Sequence, residues 1–106
     1  MTTEAAGQLF LVECYLPGAA ADEVAAAMGA VVAASRGTAA FVCCLAIPGD
    51  DTYFCLFSDG TPDHLGRTFR RAGVPFERIV EATRVGPDVV EAAFARQGEQ
   101  CATRRA

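Results

Sequence analysis

AAFVCCLAIPGDDTYFCLFSDG, residues 39–60, is the stretch whose reading decides the fold. Two apolar runs rich in β-branched, aromatic and thiol side chains flank the turn cluster Pro48-Gly49-Asp50-Asp51, the signal of a strand, a tight loop and a returning strand. Three of the five cysteines lie here, at Cys43, Cys44 and Cys55. Counting back from a Pro48–Asp51 loop, Ile47 faces Thr52, Ala46 faces Tyr53, and Cys44 falls directly opposite Cys55. Opposed residues of an antiparallel pair hold their Cβ atoms about 4.5–5.5 Å apart. The two thiols are therefore within reach of a shared soft metal or, on oxidation, of a disulfide. A one-residue change of loop length would undo the pairing. Burial as small hydrophobes, the ordinary fate of a free thiol in a strand, is the competing reading of the same pair. Cys43 and Cys44 are neighbours along one strand and point to opposite faces.

Upstream, residues 8–16 (QLFLVECYL) read as a central strand, with Phe10, Val12, Cys14 and Leu16 on one face and Leu9, Leu11, Glu13 and Tyr15 on the other. Pro17-Gly18 ends it. Residues 20–36 read as a helix: Asp22 and Glu23 sit in the first turn, and Val24, Met28, Val31, Val32 and Ser35 recur as one buried stripe. Gly29 inside this helix predicts a close approach to the sheet. Downstream, Thr61 is a natural N-cap and Pro62 suits the first helical position. Leu65, Phe69 and Ala72 form that helix's buried stripe, with Arg67, Arg70 and Arg71 toward water, and Gly73-Val74-Pro75 closes it. Residues 76–85 (FERIVEATRV) read as a fourth strand with a charged, exposed edge, and residues 88–97 as a short amphipathic helix before a polar tail.

The order strand, helix, strand, strand, helix, strand is that of an α+β, ferredoxin-like βαββαβ antiparallel sheet with two helices on one face, here followed by an extra C-terminal helix. The division expected is a lead-in over 1–7, the domain over 8–85, and the C-terminal helix and tail over 86–106.

The chain has 106 residues, 52% of them hydrophobic and 21% charged, enough for one core. A net charge of −4 with scattered arginines disfavours nucleic acid, whose phosphates call for clustered cations. No segment is long and apolar enough for a membrane span, and the N-terminus MTTEAAG lacks the pattern of a secretory signal, so a cytoplasmic location is expected. An odd number of cysteines without C-x-x-C spacing argues against a disulfide framework and a zinc ribbon. The Ala, Gly, Val and Arg bias, with no Trp, suits a GC-rich bacterial source.

The segments LVECYLPG (11–18), ADEVAAA (21–27), DTYFCLFSDGTPD (51–63) and RRAGVPFERIVEA (70–82) carry a resemblance. Together they resemble a family of small bacterial ferredoxin-like proteins of largely undefined function that includes a nickel-binding protein. The resemblance spans roughly residues 9–83 and implies a dimer with metal sites and a role in nickel response or sequestration. Cys55 matches the family's pattern. Where some members carry a histidine, this chain has Glu13-Cys14 in the first strand and Phe69 in the second helix.

Candidate metal ligands are Glu13, Cys14, Cys44, Cys55 and His64, for nickel or another transition metal. His64, the sole histidine, also reads as a surface residue near the start of the second helix. Glu13 and Tyr15, with Cys55, are candidates to line a pocket at a sheet or dimer interface, as acid/base or ligand groups; pairing of Glu13 with Arg78 or Arg84 is the structural alternative. No nucleophile elbow, Walker loop, dinucleotide fingerprint or HExxH occurs, so an enzyme of standard class is not indicated. The readings that stand are a binding protein, a dimeric α/β-barrel enzyme, and a thiol-based sensor using Cys44, Cys55 and Cys101.

Two helices cover one face of a sheet whose other face carries Leu9, Leu11 and Tyr15. An apolar face of that size is rarely left to water, so a homodimer packed through the helix-free face is expected, the alternative being that the C-terminal helix covers the face within one chain and leaves a monomer. Size-exclusion chromatography with light scattering should return twice the chain mass; a clean monomer would exclude this assembly.

Overall fold

Among the described residues there are seven elements and one loop turn. They are β1 (Leu9–Tyr15), α1 (Ala21–Ser35), β2 (Ala40–Ile47), a 3-10 turn (Pro48–Asp50), β3 (Thr52–Ser58), α2 (Pro62–Ala72), β4 (Arg78–Ala82) and α3 (Pro87–Arg105). This computed structural model describes the backbone of residues 8–105 and the side chains of residues 8–97; the expected lead-in, residues 1–7, lies outside the described residues. The four strands form one antiparallel sheet in the order β2-β3-β1-β4, the ferredoxin-like arrangement, with the two most apolar strands central.

Local chemistry sets the boundaries. Ala20 precedes α1, and its N–H donates to Glu23 Oε1 at 2.7 Å, so a glutamate in the first turn satisfies a donor that the helix leaves free. Thr61 caps α2, its Oγ1 accepting from the N–H of His64 at 3.1 Å, and Gly73 closes that helix with φ 75°. Between β2 and β3, Asp51 adopts φ 53°, its carbonyl accepts from Leu16 N–H at 2.9 Å, and its Oδ1 accepts from Gly18 N–H at 3.4 Å. One aspartate thus ties the hairpin loop to the turn after β1.

The core lies between the sheet and the two helices. Phe10, Val12 and Cys14 of β1 and Tyr53, Cys55 and Phe57 of β3 meet Val24, Met28 and Val31 of α1 and Leu65 and Phe69 of α2. Phe57, Phe69 and Leu65 are fully buried, and each such side chain contributes about 1.5–3 kcal/mol. Four aromatic rings run edge-to-face through this layer, Phe41 to Phe57 to Phe69 to Phe76, with centroids 5.6, 5.7 and 5.6 Å apart. Arg70 extends the series by lying over the Phe76 ring at 5.5 Å.

Several expectations are corrected. β4 is shorter than residues 76–85. α3 does not end at Gln97: its backbone runs on through the supposed polar tail to Arg105. Among the described residues it makes no substantial contact with the sheet or the other helices. The radius of gyration is accordingly 17.7 Å, against roughly 13 Å for a compact chain of this length. Val89, Val90 and Phe94 remain exposed along it. Val32, expected in the buried stripe of α1, is 40% exposed, and Gly29 makes no close approach, since a Cβ there would meet nothing within 4 Å. Both residues border open space instead. Among the described residues, no helix is long and apolar enough to cross a membrane.

Phe69 sits at the middle of the aromatic series, so Phe69→Ala should lower stability by about 3–5 kcal/mol, read as a fall in the urea midpoint with the slope unchanged.

Candidate functional site: a row of thiols beneath an apolar cleft

The hairpin register is the one that the loop length dictates: Ile47 faces Thr52, Ala46 faces Tyr53, and Cys44 faces Cys55. Because β3 buries Tyr53, Cys55 and Phe57 toward the helices, Cys44 is carried to the same side. The two Sγ atoms lie 3.4 Å apart. On the far side of Cys55 the facing residue of β1 is Val12, and Cys14, which faces Tyr53, lies on the diagonal as a third thiol on the same side of the sheet; Cys14 and Cys55 are wholly buried, while Cys44 is half-buried.

Hydrogen bonding within the row sets its acidity. The neighbouring Cys55 thiol holds Cys14 below the ordinary thiol value despite its burial and the nearby charges of Glu77 and Glu13. The Cys14 thiol, followed by burial and by Cys44, pushes Cys55 far up. Burial pushes Cys44 up as well, its bond to Cys55 only partly offsetting this.

Above Cys44 opens a cleft of about 580 Å³ between α1 and β2. Its helix wall is Ala21, Val24, Ala25, Met28, Gly29 and Val32, and its sheet wall is Phe41, Cys44, Ala46 and Tyr53. Ala21, Ala25 and Gly29 recur every four residues, so small side chains line one edge of the helix and leave the space that larger ones would fill. A bulge puts Phe41 into the sheet wall. The register slips between Phe41 and Cys43, leaving Val42 unpaired and setting Phe41 opposite Phe57. Tyr53 turns its hydroxyl away, donating to the Ala19 carbonyl at 3.1 Å. Apart from Tyr53, the one lining side chain with a hydrogen-bonding group is Cys44, whose thiol is also in contact with Cys55.

The remaining predicted site residues lie elsewhere. Glu13 projects from the helix-free face, where its Oε1 accepts from Arg78 Nε at 2.8 Å. Tyr15 shares that face and is half exposed. The proposed pocket of Glu13, Tyr15 and Cys55 does not assemble within the chain, because Cys55 lies on the opposite side of the sheet. His64 is half-buried rather than solvent-facing, and its Nε2 hydrogen-bonds the Thr38 hydroxyl. Of the five candidate metal ligands, the fold brings Cys44 and Cys55 into contact, leaves Cys14 on the diagonal from Cys55 in the core, and separates Glu13 and His64 from them. A nickel centre drawing on all five does not fit one chain. Among the described residues, no group of three or more His, Cys, Asp or Glu could hold a metal ion. The side chain of Cys101, named as a sensor thiol, lies outside the described residues. The cleft itself was missed in the sequence; the i, i+4 spacing of Ala21, Ala25 and Gly29 is the signal that pointed to it.

Neither a family model nor a curated protein matches the chain. Among solved structures, the chain is similar to the crystal structure of SCO4226 from Streptomyces coelicolor A3(2), with a TM-score of 0.66 and 22% sequence identity. The match takes in 74% of this chain and 99% of that one. The likeness shows the fold, and about a quarter of this chain has no counterpart there.

The acidities carry a pH signature. A thiol raised on folding stabilises the fold fully below its unfolded value of about 8.5 and loses that contribution as pH climbs toward its folded value. Cys44 and Cys55 act in this direction; Cys14, being lowered, contributes in full above the ordinary value and loses that contribution as pH falls below it, so it adds no slope in the alkaline range. Urea midpoints should therefore fall between about pH 8.5 and pH 10, and Cys55→Ala should flatten that fall.

Proposed function

We propose that the protein is a non-enzymatic, ferredoxin-like binding protein that takes a small, uncharged, apolar molecule in the cleft between α1 and β2. It works in the cytoplasm as a homodimer joined through the helix-free sheet face. The observation that carries the reading is the cleft: its volume of about 580 Å³ falls within the range of small-molecule sites, and none of its lining residues is charged. Burial of apolar ligand surface supplies the affinity, at about 25 cal/mol per Å², and the Cys44 thiol is the one polar contact on offer. A catalytic reading has less to draw on, because no carboxylate or imidazole faces the cleft.

The dimer rests on the composition of the other face. Leu9, Leu11, Phe54, Leu56 and Val80 are only half-buried there, and Leu45 is 59% exposed. A second copy would cover them, and the apolar stripe of α3 supplies further surface for the same contact. A transition-metal role, which the family resemblance implies, would rest in this chain on the thiol row alone.

Gly29→Leu tests the cleft. Position 29 has room for a side chain, and replacing a mid-helix glycine adds up to about 1 kcal/mol of helix stability. An environment-sensitive apolar dye such as N-phenyl-1-naphthylamine should bind the wild-type protein with enhanced emission. It should fail to bind a Gly29→Leu protein that melts no lower. Equal binding to both would remove the cleft as the site.

A further inference from the structure

We propose that Cys44 and Cys55 form a dithiol capture site for a monosubstituted trivalent arsenical, an As(III) centre bearing one apolar group and two hydroxyls. Its apolar group would lie in the cleft between α1 and β2. The placing of that group rests on the cleft reading above; the thiol chemistry stands on the hairpin register alone.

Three observations select this class of ligand. The first is separation: two Sγ atoms 3.4 Å apart on directly opposed strand positions can close on one pyramidal centre without a change of register. The second is the number of donors. An arsenic atom that already carries one organic group needs two sulfurs to complete its three bonds. Zinc and nickel ask for four or more donors, and no group of three or more His, Cys, Asp or Glu is gathered to hold them among the described residues. The third is charge. A cuprous ion between two thiolates leaves a net negative charge against an apolar wall, which is costly, whereas the arsenic product is neutral. The thiols' retained protons suit this chemistry, since they leave with the hydroxyls.

The step balances without an oxidant or reductant. Two S–H and two As–O bonds break, two As–S bonds form, and two water molecules leave; arsenic stays trivalent and both sulfurs stay at the thiol oxidation level. Cys44 reacts first, being the thiol that lines the cleft. Closure onto Cys55 is then intramolecular, with the advantage that proximity confers. Cys43, on the other side of the strand, takes no part.

The probe is phenylarsonous acid, added to the reduced, full-length protein in a Cys43→Ser, Cys101→Ser background and read by intact mass. One adduct is expected, equal to the protein plus one phenylarsenic group less two hydrogens, resistant to excess glutathione and reversed by dithiothreitol. Fragmentation should place arsenic across Cys44 and Cys55, a result that does not depend on any further variant folding. Cys44→Ser and Cys55→Ser should each leave at most an adduct that glutathione strips. Gly29→Leu should weaken capture by about tenfold or more, through loss of the buried ring. No adduct, or one that fragmentation places elsewhere or that survives Cys44→Ser in the presence of glutathione, overturns the proposal even if the dye still binds. A glutathione-resistant Cys44–Cys55 adduct with Gly29→Leu without effect upholds the dithiol and overturns only the cleft's share in it.

Discussion

Pairing of β2 with β3 is the constraint on which the rest of this structure depends. A loop of four residues, Pro48 to Asp51, fixes which side chains face each other, and the alternation of β3 then decides which of them enter the core. Had the loop one residue more or fewer, Cys44 would lose its partner and β2 would present its other face to α1. Asp51 secures this choice twice, through a backbone conformation with φ 53° and through bonds to the turn after β1. The register of one hairpin is thus anchored in a different part of the chain.

The site follows from an imbalance between helices and sheet. α1 and α2 lie close to each other, their backbones approach β2 and β4 respectively only lightly, and their buried side chains pack on the central strands. Two helices cannot roof four strands completely when one of them presents Ala21, Ala25 and Gly29 on the side toward the outermost strand. Space remains there, walled by the methyl groups and rings that a wider helix face would have covered. The thiol row lies beneath that space because the central strands must be apolar, and cysteine serves as a small hydrophobe there while keeping its chemistry.

Much of this was legible in the residues. Apolar alternation in β1 and β3, the Thr61-Pro62 start of α2 and the turn cluster at Pro48 give the topology without ambiguity, and the opposition of Cys44 and Cys55 follows by counting. What escaped depends on more than one element at once. Val32 fits the helical stripe by spacing, yet lies uncovered because nothing on β2 reaches it. Gly29 resembles a contact glycine in sequence and proves to be a gap. The slip at Val42 leaves no mark in the period-two pattern, and it alone determines that Phe41 faces the cleft. Glu13 and Cys55 can be assigned to opposite faces only once β1 and β3 are paired.

That same slip bears on how the molecule stays separate from its neighbours. β2 is an outermost strand, and its sequence AFVCCLAI contains no charge and no proline to discourage another strand from adding to it. At the other border, β4 carries Arg78 and Glu81, which serve that purpose. On β2 the extra residue at Val42 bends and twists the free edge partway along, so that a straight incoming strand cannot keep an unbroken ladder of hydrogen bonds. The irregularity that shapes the cleft thereby also protects the uncharged border of the sheet from open-ended strand addition.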